Sequence, residues 1–293
     1  MVEPNPRLSV VVPVYNEERT IGACLDTVLA QDEPVHEVIV VNNNSTDGTL
    51  RVLAGYGDRV TVLDEPRQGV QHARNTGMDA ASGELIGRID ADTRLTHDWA
   101  RSVRKTFEDA TVQAVTGPAS YYDVALAPLV SWGDAAFRWA WSRRMDWIFG
   151  ANMAIRAAAW RSVRGSLCVE PDVHEDLDLG IHLYAAGLRI AYEPQLRAGT
   201  SGRRIADRFT DYRAYMLMTE LGYRKHRALA ARGSYARAWL TTRALLVLYP
   251  ALRLLYAART GTAPRRLSAR KNPMAERTAP AGTYSLRRSN PDP

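Results

Sequence analysis

The stretch LSVVVPVYN, residues 8–16, carries five apolar side chains in the six positions from Val10 to Tyr15, with no alternation of polar and apolar residues. A continuous apolar run of this length suits a strand buried on both faces, as in a parallel sheet covered by helices. HEVIVVNNN and RVTVLDE read the same way, and between the first two runs Ile21, Cys24, Leu25, Val28 and Leu29 keep helical spacing. The unit is strand, helix, strand. It continues through STDGTLRVLAGYG, where Ser45, Thr46 or Asp47 can cap a helix, and through a third helix predicted over 71–81. Such alternation predicts an α/β fold with a mostly parallel, Rossmann-like sheet and helices on both faces. Its ligands bind beyond the carboxyl ends of the strands.

Three features fall at such ends: Tyr15, the asparagines from Asn42, and the acids Asp90 and Asp92 in GELIGRIDADTRL. Successive strand side chains point to opposite faces, so Asp90 and Asp92 are expected to share one. A carboxylate pair suits a hard divalent cation, Mg²⁺ or Mn²⁺, with positions left open for diphosphate oxygens.

Five stretches in order, VVPVYNEE from Val11, VVNNNSTDGT from Val40, ARNTGMDAASGE from Ala73, DAD from Asp90 and HEDLDLG from His174, resemble the inverting family-2 glycosyltransferases of the GT-A fold. The resemblance implies that Pro13 and Tyr15 shape a nucleobase pocket, that Glu17 lies near the ribose, and that Arg74 reaches the diphosphate. It places the metal on Asp92 and Asp90. It puts the catalytic base at Asp176, with Glu175 either supporting the site from behind or contacting the acceptor. Where the family pattern has an acid at the end of the second strand, this chain has Asn42 and Asn43. Asparagine both accepts and donates, so contact with the base survives, with a UDP-sugar favoured and a GDP-sugar possible. The implied reaction moves one sugar to a hydroxyl on a sugar or lipid-linked acceptor. The Q-x-x-R-W signature of processive synthases is absent from the sequence.

A helix is expected from Glu175, with Leu177, Ile181 and Tyr184 facing the core and a break at Gly187; the acids of its first turn could serve only the helix dipole. His174 and His182 are expected to pack or face solvent. Arg203 and Arg204 either close over a phosphate or are surface residues. The four tryptophans Trp132, Trp139, Trp141 and Trp147 are assigned first to the core.

Further on, AWLTTRALLVLYPALRLLYAAR, residues 238–259, is apolar but broken by Arg243, Pro250 and Arg253, which favours a helix lying at a membrane interface over one that spans. The tail beyond Gly261 carries seven bases against two acids, most of the chain's formal charge of +6. The nearly neutral body argues against nucleic acid as a partner, and the basic tail, expected to be disordered, fits an anionic membrane surface. The expected organisation is a nucleotide-sugar half over 1–100, an acceptor half over 101–202, a membrane-associated helical segment over 203–260 and the tail over 261–293. The two cysteines, Cys24 and Cys168, form neither a disulfide framework nor a zinc site of the usual paired spacing, and the N-terminus lacks the pattern of a signal peptide. A cytoplasmic protein, peripheral on the inner face of the cell membrane, is expected. Two alternatives remain at this stage. Asp-Ala-Asp-Thr at 90–93 also resembles the nucleophile motif of haloacid-dehalogenase-type phosphatases, and a nucleotide-binding protein without turnover would keep the same fold.

Overall fold

The computed structural model describes residues 5–125, 145–168 and 173–261. Trp132, Trp139, Trp141 and the basic tail lie outside them. The main sheet holds β1 (Leu8–Val14), β2 (Glu37–Asn42), β3 (Thr61–Asp64), β4 (Leu85–Arg88), β6 (Val112–Thr116), β8 (Met153–Arg156) and β9 (Arg189–Tyr192). Their order is β3-β2-β1-β4-β8-β6-β9. All neighbours run parallel except β8, which is antiparallel to both β4 and β6. One sheet therefore continues across residue 100. A second, three-stranded sheet joins β5 (Arg94–Leu95), β10 (Ala198–Thr200) and β7 (Ala119–Tyr121) in the order β5-β10-β7.

Period-two alternation sorts β1 between two cores. Val10 and Val12 pack with α1 (Ile21–Leu29), α2 (Thr49–Ala54) and α4 (Trp99–Thr106). Val11 faces the other way, toward α3 (Val70–Ala80), α5 (Ala157–Val163) and α6 (Glu175–Ala185). Both faces are buried, as the unbroken apolar run requires. RVTVLDE is different: β3 is an edge strand and Val62 and Asp64 are exposed. It pairs only with β2, and of its apolar side chains Leu63 packs against the α3 side while Val62 stays exposed.

Helix α6 spans the predicted segment, with Leu177 and Ile181 buried and Tyr184 half-buried. It stops at Gly187, whose φ of 72° is left-handed. The N–H of Leu188 donates to Leu183 at 2.9 Å and that of Gly187 to Tyr184 at 3.0 Å, which satisfies the last carbonyls. Leu177 and Ile181 pack on Tyr223 of α7 (Phe209–Lys225) and Ala238 of α8 (Ser234–Thr260). Only 17% of the most apolar window of α8 is buried. Leu240, Val247 and Leu254 lie exposed at heptad spacing, Val247 by 79% and Leu254 by 72%. Arg243 is held by Glu220 of α7 on the protein side.

Candidate active site

The ends of β1, β2 and β4 bring the predicted residues to one rim of the sheet. Pro13 is buried within β1, and Tyr15, just past its end, is half-buried. Asn16 follows in the left-handed region at φ 55° and accepts the N–H of Thr46 at 2.7 Å, tying this loop to the next.

The acids do not sit on a strand. β4 ends at Arg88, and residues 90–93 form a turn in which the N–H of Thr93 donates to the Asp90 carbonyl at 2.9 Å. The shared strand face expected for Asp90 and Asp92 is thus corrected: the turn, not strand alternation, presents them. Each carboxylate meets its own arginine. Arg74 Nη2 lies 2.5 Å from Asp90 Oδ1, and Arg203 Nη2 lies 2.8 Å from Asp92 Oδ2. Arg203 also donates from both Nη atoms to buried Glu17, at 2.8 Å each. Burial disfavours the charge on Arg203, but Glu17 and Asp92 outweigh it and raise its pKa. Arg203 is therefore a bridge between two acids rather than a surface residue.

Arg74 has a second partner. Its Nη1 pairs with Glu175 on α6, and Arg88 Nη2 approaches the same oxygen at 3.6 Å. Asp176, next along α6, accepts the Gly150 N–H at 2.9 Å on Oδ2 and the Leu177 N–H at 2.8 Å on Oδ1. Burial raises its pKa, yet His174, Arg88, Arg74 and the Gly150 N–H together hold it below the usual carboxylate value. Asp90 behaves alike: burial opposes ionisation, and Arg74 and Arg88 more than offset it. A Cβ at Gly150 would run into Arg88 Nη2 and come within 3.0 Å of Asp176 Oδ2, so a larger residue there would have to displace the Arg88 side chain. His174 is not a surface residue. Its Nε2 lies 3.1 Å from the Tyr215 carbonyl, its ring packs edge-on against the Tyr215 ring, and burial lowers its pKa. Arg204 stacks on the opposite partner of that pair, 4.1 Å from the Tyr215 ring centre.

Asn42 and Asn43 do not face a ligand freely. Asn42 donates to Asp64 Oδ1 at 2.8 Å and accepts the Ser45 N–H at 3.1 Å. Asn43 donates to the carbonyls of Glu65 and Arg67 and accepts the Gly69 N–H at 2.8 Å. Both amides hydrogen-bond to neighbouring loops, and exposed Asp64 lies beside Asn42 at this rim. Asp47 likewise accepts from Thr49 and Glu18 and closes the turn into α2.

Hard carboxylate oxygens on a strand-end turn fit Mg²⁺ or Mn²⁺. Asp90 Oδ2 makes no hydrogen bond among the described residues, whereas Asp92 is engaged by Arg203 and, at 3.5 Å, by Thr200. Two guanidinium atoms, Arg74 Nε and Arg88 Nη2, are buried without an acceptor. Acids for a cation and unused donors for an anion thus stand side by side. Arg88, Arg203 and Gly150 were invisible as site residues in the motifs; the arginine pair at 203–204 was the one available signal.

A family model described as Glycosyl transferase family group 2 matches residues 85–260, and one described as Glycosyl transferase family 2 matches residues 9–148. The chain belongs to the family-2 glycosyltransferases. Glycosyltransferase AglE of Haloferax volcanii is 32% identical over 127 residues, 41% of this chain and 42% of that protein. The chain spans less than half the length of the curated relatives it matches. Among solved structures, the mannosyltransferase PcManGT of Pyrobaculum calidifontis, in complex with GDP-Man and Mn²⁺, superposes with a TM-score of 0.61 at 25% identity, covering 89% of this chain and 78% of that one. Glucosyl-3-phosphoglycerate synthase of M. tuberculosis, at 21% identity and a TM-score of 0.56 over 78% of this chain and 83% of its own, shares the fold. Membership of the glycosyltransferases leaves the phosphatase reading of residues 90–93 without support.

Proposed function

We propose that this glycosyltransferase moves one sugar from a UDP- or GDP-sugar to an acceptor hydroxyl with inversion, in a reaction assisted by Mg²⁺ or Mn²⁺. The observation that carries the proposal is Arg74, which pairs with Asp90 on the donor side and with Glu175 beside Asp176 on the acceptor side. One guanidinium links the acids that would hold the diphosphate to the helix that carries the base. The unsatisfied donors of Arg74 and Arg88 support an anionic ligand there. A GDP-sugar and Mn²⁺ in the mannosyltransferase complex support the same donor class and metal.

Asp176 takes the proton of the acceptor hydroxyl, whose oxygen attacks the anomeric carbon as the bond to the phosphate oxygen breaks. Each Asp176 oxygen accepts one N–H and keeps a second lone pair for that proton. His174, Arg88 and Arg74 hold the base ionised, and Glu175 orients Arg74. A divalent ion on Asp90 and Asp92 would supply positive charge for the departing diphosphate. Pro13 and Tyr15 would flank the base, with Asp64 taking the acceptor role next to Asn42.

The acceptor is a lipid or lipid-linked glycan, reached from a peripheral position on an anionic membrane. The exposed stripe Leu240, Val247 and Leu254 supports this: a soluble helix rarely leaves a row of large apolar side chains in water, whereas an interfacial helix buries it in the headgroup boundary. The deciding experiment titrates UDP and GDP into the protein with and without Mn²⁺, then follows the anomeric configuration of the product by NMR. Metal-dependent binding of one nucleotide and a product of opposite configuration are expected. Retention of configuration would overturn the single displacement.

A further inference from the structure

Away from the acids at the sheet rim, four side chains from three parts of the chain converge. Cys168 follows a single 3₁₀ turn, Asp178 and His182 stand four residues apart on one face of α6, and His226 ends α7. Their donor atoms all lie within 4.8 Å of one another. We propose that Cys168, Asp178, His182 and His226 form a zinc-class metal site that fastens α6 to the end of α7.

Two of the three closest contacts match a tetrahedral zinc site, and the third, His226 to Asp178, is shorter. With zinc bonds of about 2.0–2.3 Å, neighbouring ligand atoms stand roughly 3.3–3.7 Å apart. Cys168 Sγ lies 3.4 Å from His226 Nε2, His182 Nε2 lies 3.5 Å from Asp178 Oδ1, and His226 Nε2 lies 2.9 Å from the same oxygen. Hydrogen bonding accounts for the cluster only in part, through the contact between Cys168 and His226. Asp178 Oδ1 and His182 Nε2 are buried and make no hydrogen bond, even with one another so near. The other Asp178 oxygen accepts the backbone N–H of Cys168 at 2.8 Å, which turns the carboxylate so that Oδ1 faces the two rings. An orphaned carboxylate oxygen in a side chain 2% exposed is costly, and a cation is its ordinary remedy.

Charge and softness agree. One thiolate and one carboxylate neutralise a divalent ion, with two neutral imidazoles completing the set. Loading releases the thiol proton to solvent. A sulfur and two nitrogens select zinc over the Mg²⁺ or Mn²⁺ suited to Asp90 and Asp92. The role is structural: Asp178 sits two residues beyond Asp176, so the ion would fix the helix that carries the base.

The test is metal analysis of the full chain purified without chelator, followed by Co²⁺ titration of the stripped protein. Expected are one retained zinc per chain and, with Co²⁺, an intense tetrahedral spectrum with a thiolate charge-transfer band. Cys168→Ser removes that band, His226→Gln loses the retained metal, and Cys24→Ala and Asp92→Ala keep both. Because Cys24 is the only other thiol, the band in Cys24→Ala identifies Cys168 even if Cys168→Ser misfolds. A chain that retains no zinc and gives only a pale, octahedral Co²⁺ spectrum overturns the proposal. So does a charge-transfer band that survives in folded Cys168→Ser.

Discussion

Asp176 is held ionised by three positive or potentially positive neighbours, and two of them, Arg74 and Arg88, are the groups a diphosphate would engage. The donor would therefore draw charge away from the base and raise its proton affinity. The acid limb of kcat/KM, set by the free enzyme, is expected below the acid limb of kcat in a pH series of initial rates. Asp176→Asn should lower kcat by about 10²–10⁴-fold while donor affinity by calorimetry stays unchanged. Since the folded pKa values of Asp90 and Asp176 lie below their unfolded ones, their contribution to stability is present above about pH 4 and is lost as acid protonates them. Arg203→Ala leaves Glu17 and Asp92 facing each other. As Arg203 is 31% exposed, the loss in urea denaturation should fall short of the about 3–5 kcal/mol of a fully buried pair, and Mn²⁺ should raise the melting temperature of the variant more than that of the wild type. Asp90, Asp92, Glu175, Asp176 and Arg74 were legible because each sits in a short motif. Arg203 on Glu17 spans 186 residues, and no local pattern announces such a pair.

At the scale of elements, periodicity worked where burial is uniform. The helices α1, α3 and α6 follow the apolar spacing of their sequences within a residue or two, and β1 and β2 follow theirs. It misled at β3, whose composition matches a central strand although its position is at the edge, and at β4, where two residues were credited to the strand that belong to a turn. Strand composition reports side-chain fit and not rank in the sheet. The segment before β8 carries a constraint of its own: the backbone at Gly150 passes between Arg88 and Asp176. Gly150→Ala is expected to cost about 1–3 kcal/mol by overpacking and to lower kcat more than Gly165→Ala, where a Cβ meets open space. Parallel urea curves and rates on the two variants check this.

For the molecule as a whole, the exposed stripe of α8 spans about 21 Å from Leu240 to Leu254, long enough to lie along a bilayer surface. Cosedimentation with anionic vesicles should fall as salt rises, and Val247→Glu with Leu254→Glu should weaken it without changing nucleotide binding. The mixed sheet was legible only in part, because β8 returns antiparallel from a segment whose strand character is four residues long. That strand has a consequence for the order of assembly on the ribosome. β6 touches the main sheet only through β8 and β9, both of which are synthesised later. The first four strands in chain order can pair as soon as they emerge, while residues 112–116 wait, made but unplaced, until Met153–Arg156 arrives to seat them beside β4. The N-terminal half thus has a head start, and the half bearing α6 closes onto a template already formed.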